Sequence, residues 1–197
     1  MGGIADISKL FPTSPVHKHQ PDRPSESQAD IADSEIFKVE GATLRAVHSP
    51  GHTTDHMALI LEEEDAMFTG DNVLGHGTAV FEDLTSYLTS LERMRSLFGG
   101  RAYPGHGAVI EDGKAKISDY IRHRQLREDQ VVQVLKSRGD GEGWSSMEIV
   151  KVIYRDVPET LHLPAHGGIM QVLGKLDGEE KIEEVDGKWR VKGRSAL

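Results

Sequence analysis

Four short stretches place a residue able to hold a metal or a proton among glycines at the end of an apolar run: Pro50-Gly51-His52, Gly70-Asp71, Gly75-His76-Gly77 and Pro104-Gly105-His106-Gly107. The chemistry these residue types share is metal ligation. A strand end fixes the backbone, and glycines let a neighbouring segment pass close by, so a short side chain such as Asp71 can reach a point shared with two imidazoles. Two neutral imidazoles and a carboxylate suit zinc, and one carboxylate can serve two zinc ions. Such a pair would ionise a bound water near neutral pH and polarise a carbonyl, which is the chemistry of ester, thioester, amide or phosphodiester hydrolysis. By type and spacing alone, a histidine beside glycine is more often a turn residue, and an aspartate after glycine is an ordinary turn former. His17 and His19, a His-Lys-His within a proline-rich stretch, read as surface residues.

The elements that must position these residues follow from the apolar runs. Thr43 to His48, Met57 to Leu61 and Ala66 to Thr69 are short runs bounded by Gly41, Pro50-Gly51, Glu62 to Asp65 and Gly70, and each reads as a strand. Leu44, Ala46 and His48 alternate with Arg45 and Val47, so Val47 implies that both faces of that strand are partly covered. Asp83 or Thr85 can cap a helix reaching Leu97, with Leu84, Leu88, Leu91 and Met94 or Arg95 near one stripe, and Gly99-Gly100 ends it. Arg101 to Tyr103 reads as a short strand stopped by Pro104. From Asp112 to about Lys136 a long helical pattern carries Ile117, Tyr120, Ile121, Leu126, Val131, Val134 and Leu135 on its apolar face.

Ahead of the strands, Ile7 to Phe11 can form a helical turn, Pro12 to Glu26 holds four prolines, and order resumes near Ile36. Behind the long helix, Gly139 to Gly143 is the best candidate for a domain boundary. Beyond it lie a helix around Ser146 to Tyr154, a second around Ile169 to Leu176, and two strands, Lys181 to Glu184 and Lys188 to Val191, joined by the hairpin-favouring pair Asp186-Gly187.

Composition narrows the setting. The 197 residues suffice for one packed domain with a small appendage, and 37% apolar with 28% charged residues fits an ordinary globular protein. The net charge of −9, from 32 acidic and 23 basic residues, opposes non-specific attraction to nucleic acid or anionic membrane. With no cysteine, a metal site must be built from His, Asp and Glu. No stretch approaches the roughly 18 apolar residues of a membrane helix, and Met1 to Asp6 lacks the order of a secretory signal. The cytosol is the expectation by elimination.

Taken together, Ser49-Pro50-Gly51-His52-Thr53, Phe68-Thr69-Gly70-Asp71 and Tyr103-Pro104-Gly105-His106-Gly107 resemble the later motifs of the metallo-β-lactamase superfamily in order, strand context and spacing. The runs Gly51 to Met57 and Gly70 to Leu84, with Leu161-His162-Leu163-Pro164, look like the branch of lactamase-like endoribonucleases and, in their spelling, its fungal thioesterases of secondary metabolism. Those thioesterases release a polyketide, such as an atrochrysone-type carboxylic acid, from the acyl carrier protein of a non-reducing polyketide synthase. The resemblance covers nearly the whole chain.

It implies an α/β (α+β) fold: the αββα sandwich of the superfamily, N-terminally truncated, over residues 1–138 with an irregular segment at about 12–30, and a winged-helix-like domain over 143–192. It also implies that His52 binds the first zinc, Asp71 bridges both and His106 binds the second, with His56 and His76 as pocket residues around them. The implied partner is an acyl carrier protein domain; the oligomeric state is left open. The superfamily's first motif, His-x-His-x-Asp-His, is absent, and its usual glycine-rich sequel matches Gly2-Gly3-Ile4, so the chain reads as beginning just beyond it. Two consequences are expected: each zinc keeps only two donors, and an open sheet face leaves the isolated chain poorly stable or aggregating.

Two further readings stand beside the thioesterase. An endoribonuclease would use the basic cluster Arg122, His123, Arg124 and Arg127, which a solvated helix face also explains. A non-catalytic fragment would have at most a protein-interaction role.

Overall fold

The computed structural model describes residues 3–20, 28–138 and 142–192. These fall into two compact units, Met1–Tyr120 and Ile121–Leu197. The first opens with α1 (Ile4–Leu10). The stretch to residue 35 then contains no helix or strand among its described residues, although His17 pairs with Ala29 in an isolated bridge.

Five strands form the sheet of this unit: β1 (Ile36–Val39), β2 (Ala42–His48), β3 (Met57–Leu61), β4 (Ala66–Gly70) and β5 (Ala102–Pro104), in that order across it. The first four run as an antiparallel meander, and β5 lies parallel to β4 with α2 (Leu84–Leu97) between them in the chain. Parallel neighbours need such a crossover. β1 is the strand that the sequence marked only as a return of order.

Register separates the two faces. Val47, Ala58, Ile60, Met67 and Ala102 point to one side and are buried, as are Leu84, Leu91 and Met94 of α2 and Ile117 and Tyr120 in the first turns of α3 (Gly113–Lys136). Each large apolar side chain so buried stabilises the fold by about 1.5–3 kcal/mol. The other side carries Phe37, Val39, Leu44, Leu59, Leu61, Phe68 and Tyr103. None of these is fully buried, Val39 being 73% and Phe68 41% exposed. His17 lies edge-on to Phe37, and His19 lies 4.4 Å from the ring of His48, so the N-terminal segment touches this face at the β1–β2 end.

Asp83 caps α2 by accepting from the Ser86 N–H at 2.6 Å, as its position before the apolar stripe suggests. Within α2 the buried stripe runs through Tyr87 in place of Leu88, because the Tyr87 hydroxyl donates to the Asn72 carbonyl at 2.6 Å. On α3, Leu126 is exposed and Glu128 takes the inward position. Steps of three and four from Ile117 and Tyr120 reach 124, 128 and 131, leaving 126 on the outer side.

The second unit holds α4 (Ser146–Ile153), α5 (His162–Gly178) and the hairpin β6 (Ile182–Val185) with β7 (Lys188–Val191). Ser145 and Glu148 form a reciprocal capping box on α4. Arg138 pairs with Glu148 at 2.8 Å, which with the cap holds the Glu148 carboxyl down to about 2. α5 begins seven residues before Ile169, since Pro164 falls in its first turn, where the missing N–H has no helical partner. Asp186 and Gly187 both adopt positive φ, as the tight hairpin requires. Residues 139–141 of the glycine-rich break lie outside the described residues, as do 21–27 of the proline-rich segment. No helix among the described residues is long and apolar enough to cross a membrane.

Candidate metal centre

Asp71 stands just past the end of β4, and the loops after β2 and β5 bring histidines to its two oxygens. His52 Nε2 lies 3.7 Å from one carboxylate oxygen, and His106 Nε2 lies 3.5 Å from the other. Hydrogen bonds fix this arrangement. Gly105 N–H donates to the Gly70 carbonyl at 2.8 Å, and Gly75 N–H donates to the His106 carbonyl at 2.9 Å, so the loops after β4 and β5 run side by side. The Gly51 carbonyl accepts from the N–H groups of Glu82 and Asp83, anchoring the His52 loop to the start of α2.

Glycine is required where these loops meet. Gly70 has φ of +52°, and a Cβ there would stand 2.6 Å from His56 Nε2. A Cβ on Gly105 would meet Asp71 Oδ1 at 2.8 Å.

The imidazole of His52 is oriented by a second hydrogen bond. His52 Nδ1 donates to the Val80 carbonyl at 2.8 Å, which turns Nε2 towards Asp71. An imidazole nitrogen opposite a carboxylate oxygen is satisfied by a positive charge between them, a proton or a metal ion. Accessibility rises across the set, from 22% for the His52 side chain through 40% for Asp71 to 70% for His106, so the site opens to solvent on the His106 side.

His56 adjoins this set without facing the gap between the imidazoles and the carboxylate. Its Nε2 accepts the Asp71 N–H at 3.1 Å and its Nδ1 lies 2.8 Å from Ser49 Oγ. Burial, and then His52, push its pKa down to about 4 against the pull of Asp71. His76 is exposed beside Gly107, on the loop bridged to that of His106. His17 and His19 are not brought to the centre; His19 Nδ1 pairs with the Ile31 carbonyl. Of the basic cluster on α3, Arg127 stacks 4.4 Å from the ring centroid of Tyr154.

Sequence reasoning missed Ser49 and Asn72, both fully buried, which tie the loops together. Their only signal was position, directly before Pro50-Gly51-His52 and directly after Asp71.

The fit to a metal can be counted. Each carboxylate oxygen has one imidazole, so each of two ions would find two donors. Among the described residues no group of three His, Cys, Asp or Glu could hold a single ion. Two donors on each side of Asp71, counting its own oxygen, fall short of the three protein ligands usual for catalytic zinc.

Residues 6–106 match the model of the metallo-beta-lactamase superfamily, and residues 145–189 match the beta-lactamase associated winged helix domain. Among curated proteins, the chain is 41% identical to lactamase-like protein aptB of Emericella nidulans, covering 98% of this chain and 66% of that protein. It is 45% identical to an atrochrysone carboxyl ACP thioesterase of Aspergillus chevalieri, covering 98% of this chain and 65% of the relative. The chain therefore spans about two thirds of the length of these relatives. A solved beta-lactamase domain protein from Burkholderia ambifaria superposes with a TM-score of 0.72 at 21% identity, over 96% of this chain and 57% of that one.

Proposed function

The chain belongs to the metallo-beta-lactamase superfamily, and from that premise we propose that it carries half of the two-zinc centre of a thioester hydrolase whose substrate is a polyketide acyl group on an acyl carrier protein. The observation that carries this reading is one carboxylate, Asp71, with a separate imidazole nitrogen facing each of its oxygens. Asp71 is the bridging donor in this reading, His52 belongs to one ion and His106 to the other. His56 and His76 are pocket residues around them. In a completed centre, two ions supply a water ionised near neutral pH and a charge to hold the carbonyl oxygen.

The choice of thioester rests on the relative from Aspergillus chevalieri, whose name states a carrier-protein thioesterase. In the overall reaction water adds to the thioester carbonyl and the C–S bond breaks, giving a free acid and the carrier thiol. The residues of this chain hold the bridging carboxylate and orient one imidazole on each side. Two donors per ion fall short of a catalytic site, so the activity belongs to a form in which further donors reach the centre. The same donor count leaves a second reading, a non-catalytic chain.

Release of thiol from an acyl-pantetheine thioester with added zinc distinguishes them, measured on this chain and on this chain extended by the part of the Aspergillus chevalieri relative that it does not cover. Turnover is expected only in the extended form, with Asp71→Ala lowering it more than about 100-fold, beyond what loss of an outer partner of a metal ligand causes. Turnover in neither form contradicts the thioesterase reading.

A further inference from the structure

The ends of β2, β3 and β4 are closed into a ring of hydrogen bonds. The Asp71 N–H donates to His56 Nε2 at 3.1 Å, and His56 Nδ1 lies 2.8 Å from Ser49 Oγ. Asn72 Nδ2 donates to the Ser49 carbonyl at 2.7 Å, and the Ser49 N–H donates to the His56 carbonyl at 3.0 Å. Ser49 and Asn72 are fully buried, so water does not compete for these bonds.

The donor and acceptor roles decide the state of the ring. A backbone N–H can only donate, so His56 Nε2 must present a lone pair and carry no proton. The remaining proton is on Nδ1, directed at Ser49 Oγ. With Nε2 already taken by the Asp71 N–H, His56 is not a third donor to either ion.

Resting on the reading of His52, Asp71 and His106 as a half-centre, we propose that His56 is its positioning residue: the Nδ1–H tautomer holds the Asp71 backbone through Nε2 and so fixes the carboxylate between the two facing imidazoles. A ring that merely filled space would serve as well if it were apolar. His56→Leu and His56→Gln separate the two roles, because the glutamine amide oxygen can occupy the place of Nε2 and leucine offers no acceptor.

Three readouts test the proposal, at a concentration where the chain is monomeric. In the unaltered chain labelled with 15N-histidine, proton–nitrogen correlation spectra at neutral pH are expected to show His56 protonated at Nδ1 and bare at Nε2; the opposite tautomer, or a doubly protonated ring, overturns the proposal. Exchange of the Asp71 amide is expected to speed up about tenfold in His56→Leu and to stay near the parent rate in His56→Gln, the effect of losing one net hydrogen bond. Equal protection in all three chains overturns it. Titration with zinc alone is expected to show affinity about tenfold weaker in His56→Leu and restored in His56→Gln, the loss typical of an outer partner; equal affinities overturn the positioning role. If His56→Leu does not fold, the tautomer of the unaltered chain and the glutamine variant still decide. Failure of the unaltered chain to take any zinc contradicts the half-centre instead, and leaves the tautomer test standing.

Discussion

His56 gives the centre a pH dependence separate from any bound metal. Its pKa is about 4 in the folded chain against an ordinary 6.5, so between those values the unfolded chain carries a proton that the folded chain does not. This contribution to stability is therefore complete above pH 6.5 and is lost as the pH falls towards 4. Between pH 7 and 4.5 the loss should be about 2–3 kcal/mol. Urea unfolding at the two pH values should show that much more loss in the parent than in His56→Gln; equal losses would contradict it. At this scale the sequence marked His52, Asp71 and His106 as candidates through glycine-flanked strand ends and the superfamily resemblance together. The ring through Ser49, His56 and Asn72 was hidden, since its bonds join residues 7, 15 and 23 positions apart that only strand pairing brings together.

Elements were legible where hydrophobic period and punctuation agree, as in β3 and β7, whose observed bounds coincide with the apolar runs. They were obscured where one residue type has two uses. Pro164 and Gly167-Gly168 look like breakers, yet α5 runs through all three. Leu126, expected on the apolar face of α3, is exposed while Glu128 points inward, because a charge can be buried when paired: Lys175 Nζ lies 2.9 Å from the Glu128 carboxylate. Removing the lysine leaves that carboxylate uncompensated, which typically costs about 3–5 kcal/mol. Lys175→Ala should therefore be destabilised by about 3 kcal/mol in urea, and Glu128→Leu with Lys175→Leu by much less. A Lys175→Ala chain as stable as its parent would show that the pair is not what keeps Glu128 folded inward.

The whole molecule repeats the asymmetry of the centre. One face of the five-stranded sheet is buried and the other keeps Val39 and Phe68 in solvent, while each oxygen of Asp71 has one imidazole and no further donor among the described residues. A sheet open on one side matches the single β layer expected from half of an αββα sandwich. The β-sheet core and its appended second unit were legible in the superfamily motifs, before the contacts that hold the loops of the centre. The most direct test of the half-centre is calorimetric titration of the unaltered chain with zinc. About half of the 10–16 kcal/mol of a full structural site corresponds to dissociation constants of about 1 µM to 0.2 mM. Binding in that range, abolished by Asp71→Ala, is the predicted result; two zinc ions per chain retained through dialysis, or affinity indifferent to Asp71, would contradict it.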